Sequence, residues 1–401
     1  MTSPCGHAAI PFPFPMPPPL TVPPEFAELR AGCPVARVAF PTGYEGWLVS
    51  SYEHVRTVLT DPRFSRAAIN RPGAPVLRPI IPGSQSLQKK DGADHARLRR
   101  VLAPAFSPAA ARRLRPFIAR TAGSLLDDMV AAGPPADLVG AYARPLAMSV
   151  VCRVVGVPDS DHRCLDDVSS RLLGLSFDSA DEIRRARAQI DAHMARLLDA
   201  KRAAPGQDVL SDLVRVHDED GRVTGPELLD AGWSLVLAGR GPLAISIANG
   251  VLRLLRHPDQ LDLLRARPDL LPGAAEELLR INPFAVGNSL LRIAREEVRL
   301  GDVTVAAGQA VIPAIMSANR DESVFPEPDT FDIRRTPNPH LAFGKGYRYC
   351  PGAHLARLQF TIALRILLTR LPRLELACDE RDITLRNDRA LFAPAELPVS
   401  W

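Results

Sequence analysis

One cysteine in this chain stands where a thiolate would do chemistry. In Phe343-Gly344-Lys345-Gly346-Tyr347-Arg348-Tyr349-Cys350-Pro351-Gly352 the sulfur follows a glycine-punctuated loop and precedes a helical segment beginning Ala353-His354-Leu355-Ala356-Arg357. Gly344 and Gly346 let the backbone turn tightly and lie flat against a cofactor, and Gly352 lets the next helix approach closely. Pro351 fits the first helical position. A helix start aimed at the sulfur offers free N–H groups and a positive dipole end, which lower the thiol pKa and hold a thiolate. Cys350 is therefore the predicted metal ligand. The other cysteines, Cys5, Cys33, Cys152, Cys164 and Cys378, are scattered without a CxxC and suggest neither zinc nor a disulfide framework.

The loop resembles the heme-binding loop of the cytochrome P450 family, Phe-Gly-x-Gly-x-(His/Arg)-x-Cys-x-Gly, at Phe343, Gly344, Gly346, Arg348, Cys350 and Gly352. A single cysteine beside glycines is more often an inert core residue. Six matched positions outweigh that reading. The resemblance extends over nearly the whole chain, to the Leu-Pro-Val-Ser-Trp ending at 397–401. It implies a mainly α fold, a large helical domain with small β-sheets, that binds heme b (iron protoporphyrin IX) through Cys350.

Glu277 and Arg280 lie at i and i+3 on one helix face, a spacing that usually marks a surface ion pair. They precede Cys350 by about seventy residues and are followed by Phe331-Asp332-Ile333-Arg334-Arg335. The resemblance implies that Glu277, Arg280 and Arg335 form a buried network locking the cysteine loop. It also places His95 and Arg99, four apart on one helix face, with Arg292 and Arg348 against the heme propionates, which arginine's planar fork suits. Ala238 and Gly239 open the family's Ala-Gly-x-(Asp/Glu)-Thr segment over the heme.

That segment then departs from the family. Counting back from His257-Pro258, Gly241 stands where the acid belongs and Pro242 where the threonine belongs. Neither can relay protons during O–O bond cleavage. Pro242 also deletes a backbone hydrogen bond and is expected to kink the helix. Three explanations stay open. A hydroxyl, acid or bound water of the substrate replaces the relay; or hydrogen peroxide is the oxidant, with Arg240, one residue earlier than the arginine of the family's peroxygenases and so about 100° around the helix from it, anchoring a substrate carboxylate; or the protein is a non-catalytic helper of a biosynthetic partner. Ser246, one turn on, is expected to bond a carbonyl. The resemblance further implies a pocket lined by Leu87, Arg240, Leu243, Phe284, Val286 and Phe392, mostly apolar and suited to a sizeable ligand.

The elements that must position these residues are mostly helical. Apolar residues recur at three and four over Asp94 to Leu102, Pro108 to Ala131, Ala141 to Val155, Asp159 to Leu173, Ala180 to Ala203, Asp208 to Val216 and Pro226 to His257. The last is apolar on nearly all sides and belongs in the core. Two short strands are predicted within Val35 to Ser50, then a helix from Tyr52 to about Leu59. A long loop follows over 64–90, in which Lys89 and Lys90 read as solvated or, alternatively, as meeting an acidic group or a carrier protein. Strands return at Leu290 to Arg295 and Val298 to Val311, and a helix runs from Ala353 to about Leu371. Residues 11–24, PFPFPMPPPLTVPP, read as part of an extended arm over residues 1–25 of one 401-residue domain.

With 46% apolar and 23% charged residues the chain has the composition of an ordinary globular protein. A net charge of +4 and 5% aromatic residues argue against a nucleic-acid partner. No uninterrupted apolar run reaches the roughly 18 residues of a membrane span, and the N-terminus lacks signal-peptide order, so a cytoplasmic location is expected; a monomer is expected separately. Arg97, Arg99, Arg100, Arg112 and Arg113, with Lys345, Arg348 and Arg357 by the cysteine, offer a surface for an acidic electron carrier. The resemblance implies a small-molecule substrate of secondary metabolism, with ferredoxin and ferredoxin reductase, or hydrogen peroxide, supplying the oxidising equivalents.

Overall fold

Helix boundaries follow local chemistry. The computed structural model describes residues 9–15, 18–77, 84–162, 165, 180–282, 290–385 and 393–401. Its helices are α1 (Glu25–Gly32), α2 (Tyr52–Thr60), α3 (Gly92–Leu102), α4 (Pro108–Ala132), α5 (Arg144–Val155), α6 (Ala180–Ala203), α7 (Val209–Asp220), α8 (Gly225–Leu255), α9 (Pro258–Ala266), α10 (Leu271–Ile281), α11 (Ile315–Ala318) and α12 (Ala353–Arg370). Ser107 caps α4 by accepting from Ala110 N–H at 3.2 Å, with Pro108 in its first turn, and Gly133 at φ +83° ends it. The Thr224 and Glu227 side chains close a reciprocal capping box at the start of α8.

Helix α8 runs unbroken through Pro242 and packs on α5, α10 and α12; α12 packs on α4. Their apolar faces form the main core, including Ile118, Tyr142, Leu146, Ile247, Leu278 and Leu364. By length and composition α8 alone among the described helices could cross a membrane, but most of its apolar window is buried inside the protein. Helix Asp159 to Leu173 of the sequence reading falls largely outside the described residues.

The main sheet has strand order β1-β2-β3-β9-β6-β4, with β1 (Ile10–Pro11), β2 (Val35–Ala39), β3 (Glu45–Val49), β4 (Phe64–Ser65), β6 (Arg292–Ala294) and β9 (Ala310–Pro313). β1 is parallel to β2 and β3 to β9; the other pairs are antiparallel. β5 (Ala136–Asp137) joins β10 (Glu375–Leu376) and β11 (Pro398–Ser400). The expected strand Val298 to Val311 is instead a hairpin, β7 (Val298–Leu300) with β8 (Val303–Val305), followed by β9. Gly301 at φ +62° and Gly308 at φ +85° make the turns that divide it. The expected start of α5 at Ala141 is a π-turn, and the helix begins at Arg144. Residues 64–90, read as loop, contain β4 and short helical turns at Ala67–Asn70 and Leu87–Lys89. Helices α1, α9 and α11 were not predicted. The proline-rich arm adds β1 to the sheet and buries Phe12 and Phe14 on Phe26.

Candidate active site

The loop before α12 is fixed by its own backbone. Cys350 N–H donates to Phe343 O at 2.9 Å, Gly344 N–H to Leu341 O at 2.8 Å and Tyr349 N–H to Gly346 O at 3.0 Å. Gly344 and Gly346 have φ +71° and +70°, and a Cβ on Gly346 would lie 3.0 Å from Thr60 Cγ2. The Phe343 ring lies under the Arg357 guanidinium at 4.4 Å and beside Tyr349.

Two expectations for this loop are corrected. Gly352, not Pro351, caps α12, and Ala353 is the first helical residue; a Cβ on Gly352 would meet only Phe106 at an ordinary 3.9 Å. Burial pushes the Cys350 thiol above its usual pKa, against the pull of the Gly352 N–H and the charges of Arg99 and Arg357. The helix start therefore does not hold a thiolate by itself; coordination to a cation would supply what is missing.

Behind the loop, Arg280 and Glu277, both fully buried, form a two-pronged ion pair with both bonds at 2.7 Å. Glu277 also accepts from Arg335 Nε at 3.2 Å and Asn338 Nδ2 at 3.1 Å. Arg280 donates to the carbonyls of Asn319 and Pro328, and Asn319 Oδ1 accepts from Leu341 N–H at 2.7 Å. The network thus reaches the loop through Asn319 and Asn338, which sequence reasoning missed. Glu276, held to a pKa of about 2 by its bonds to His340 and Arg357 against the cost of burial, ties α10 to α12 directly.

On the α3 side the structure gathers cations. Arg292 on β6 is buried, and that burial, helped by Arg348, lowers its pKa to about 9. His95 is buried, stacks edge-on against Tyr347 at 5.6 Å, and is lowered to about 4 by burial and by Arg348 and Arg99. Arg66, absent from the sequence-derived site, is 3% exposed and donates to Leu291 O at 2.5 Å; burial, Arg292 and Arg348 drive its pKa down. Arg348 Nη2 donates to Asp91 and to Lys90 O, while its Nε is buried without a partner. Lys89 and Lys90 are not solvated. Burial and Arg66 lower Lys89 to about 8, and Lys90 pairs with buried Glu227 at 3.2 Å. Arg97, also pledged to Glu227, and Arg357, bound to Glu276, leave Arg100, Arg112, Arg113 and Lys345 as the exposed cations of the anticipated docking surface.

In α8, Ala238 is exposed, while Arg240 and Val236 are buried. Gly239 packs on α5: a Cβ there would fall 2.5 Å from Val151 Cγ2, so helix contact explains this glycine. Ser246 Oγ donates to Pro242 O at 3.0 Å, as expected. Leu87 packs against the main core and Leu243 lies within it; Phe284, Val286 and Phe392 lie outside the described residues. Among the described residues no group of three or more His, Cys, Asp or Glu is placed to hold a metal.

The pattern of the family described as Cytochrome P450 matches residues 159–396. Nocardicin C N-oxygenase of Nocardia uniformis subsp. tsuyamanensis is 42% identical over 391 residues, covering 97% of this chain and 98% of that protein. The chain is a cytochrome P450. Mycinamicin IV hydroxylase/epoxidase of Micromonospora griseorubida is 40% identical, over 95% of this P450 and 96% of its relative. The crystal structure of the LnmA cytochrome P450 hydroxylase from the leinamycin pathway of Streptomyces atroolivaceus S-140 superposes with a TM-score of 0.90 at 40% identity, covering 98% of this P450 and all of LnmA. The P450 is a heme-dependent oxidoreductase. Its residues fit that cofactor: buried Arg66, Arg292 and Arg348 crowd around one carboxylate, Asp91, and the orphaned Arg348 Nε still needs an acceptor. Propionates would answer both needs.

Proposed function

We propose that this P450 is a secondary-metabolite tailoring monooxygenase whose substrate supplies the proton relay that its central helix lacks. The observation that carries the reading is the polar inventory of α8 between Leu235 and Ile247. Its only hydroxyl, Ser246, is already bound to Pro242 O, and its only charge, Arg240, is buried. Pro242 cannot donate to the Ala238 carbonyl, so the helix presents an acceptor there instead of an acid–alcohol pair. A substrate hydroxyl, acid or held water is the complement of that surface.

In this reading Cys350 binds the iron, Phe343, Gly344, Gly346 and Gly352 shape the loop around it, and His95, Arg99, Arg292 and Arg348 hold the propionates. Ala238 borders the heme, and Leu87, Arg240, Leu243, Phe284, Val286 and Phe392 face the substrate. Heme, when bound, supplies O–O bond cleavage and oxidation of the substrate. Electrons come from NAD(P)H through a ferredoxin reductase and a ferredoxin that docks on Arg100, Arg112, Arg113 and Lys345, in the cytoplasm and on a monomer. The relatives' names, an N-oxygenase and a hydroxylase/epoxidase, support tailoring chemistry.

The burial of Arg240 in the central helix favours one second reading, a peroxide-driven enzyme with Arg240 on a substrate carboxylate. A helper role gains no support from a cysteine loop backed by so complete a charge network. Optical titration of the ferric protein with long-chain fatty acids and with polyketide, terpenoid and aromatic-peptide metabolites separates the two. A spin-state shift with a complex metabolite bearing a hydroxyl or acid is expected. A shift with fatty acids alone, together with turnover on peroxide, would replace the first reading with the second.

A further inference from the structure

Asp91 occupies the N-cap of α3 in extended backbone, yet its carboxylate makes no bond to that helix's own N–H groups. It turns away and accepts instead from Ser65 Oγ, from the backbone N–H of Arg66 at 3.1 Å and Ala67 at 3.0 Å, and from Arg348 Nη2. Its side chain and that of Arg348 are 8% and 9% exposed. Asp91 is thus the buried carboxylate inside the cluster of Arg66, Arg292, Arg348 and His95.

We infer that Asp91 is a positioning residue for the propionate site: it grips one edge of the Arg348 guanidinium so that Nε is offered to a propionate, and its charge sets the reduction potential of the heme. The physical chain is short. One terminal nitrogen of Arg348 is committed to Asp91, while Nε is buried and unsatisfied, so an incoming anion meets a guanidinium already oriented. A negative charge held in a dry cationic cluster also partly cancels the field that the arginines exert on the iron. Removing it leaves those arginines to favour the electron-rich reduced state.

The inference rests on the propionates lying among His95, Arg99, Arg292 and Arg348. Spectroelectrochemical titration of the holoenzyme and heme transfer to apomyoglobin test it. Asp91→Asn keeps the shape and one accepting oxygen, while its NH2 cannot accept and so gives up one of the backbone bonds from Arg66 and Ala67; it is expected to raise the midpoint by a tenfold change in ferrous over ferric preference, about 59 mV, and to speed heme loss. Arg66→Gln, which removes a positive charge from the same cluster, is expected to lower the midpoint, and it keeps the test available should Asp91→Asn fail to fold. Ser65→Ala removes a bond to Asp91 but no charge, so it is expected to move only the melting temperature. Unchanged midpoints in both charge variants, or Asp91→Asn matching Ser65→Ala in potential, would overturn the inference. If Arg292→Gln and Arg348→Gln also leave heme transfer unaltered, the propionate placement itself fails; if they speed it, only the role of Asp91 does.

Discussion

Around Cys350 the polar side chains are many and fastened, whereas around Gly241 they are few. Glu277 is bonded to Arg280, Arg335 and Asn338, and Glu276 to Arg357 and His340, so the loop is held by charges whose partners sit on α10, on α12 and in the connection between them. Apart from buried Arg240, the middle of α8 offers glycine, proline, alanine and leucine, with its one hydroxyl turned back on its own helix. The contrast separates two tasks. The cysteine side must present one sulfur in one place whatever the substrate, and an over-bonded frame does that. The helix side, in the function proposed above, leaves its titratable groups for the ligand to bring.

The largest test of this contrast is Cys350→Ser, which should abolish the thiolate heme spectrum and all turnover; an active serine variant would remove the basis for treating the loop as the iron site. Next comes Glu277→Gln. Because Arg280 is fully buried, stripping its partner should cost about 3–5 kcal/mol, seen as a lower urea midpoint and poor heme loading. Arg335→Gln should cost less, since Arg335 is 11% exposed and stands at the edge of the network. On the helix side, Gly241→Glu with Pro242→Thr should let the enzyme turn over substrate analogues lacking the donor group, faster by about a hundredfold on the scale of general acid catalysis. Identical rates in both forms would mean that no relay was missing.

The smallest effect concerns the capped start of α8. Burial raises the Glu227 pKa, but Arg97, the Thr224 N–H and Lys90 outweigh it and bring it down to about 2. A depressed carboxylate contributes stability above its unfolded value near 4.5 and loses it as pH falls toward 2. Wild-type urea midpoints should therefore drop between pH 5 and pH 3 more than those of Glu227→Gln. Parallel curves would show that this cap carries none of the acid sensitivity.

The cysteine loop was legible because its glycines, its cysteine and the Glu277–Arg280 spacing are local and type-specific. That Gly241 and Pro242 have side chains that cannot carry protons is likewise read directly from the letters. The expectation for Gly352 failed for a different reason: a glycine announces freedom, and only packing shows what takes it up, here Phe106 at an ordinary contact distance. The kink expected at Pro242 does not divide α8. Arg66, Asp91, Asn319 and Asn338 were not found because their partners are far away in the chain; Asp91 meets Arg348 across 257 positions. Gly301 and Gly308 were readable signals that the stretch from Val298 to Val311 should have been cut.

The proline-rich arm has a practical consequence for anyone making this protein. Arg253, 9% exposed near the end of α8, donates to Leu20 O at 2.9 Å, and Arg256 donates to Pro19 O at 2.7 Å. Trimming the first twenty residues as a dispensable tail, or crowding them with a purification handle, would take one carbonyl acceptor from each of two guanidinium groups at the far end of the helix that carries Gly241 and Pro242, leaving, among the described residues, Arg253 only Asn282 and Arg256 only Glu380. A handle at the other terminus would leave that rivet in place.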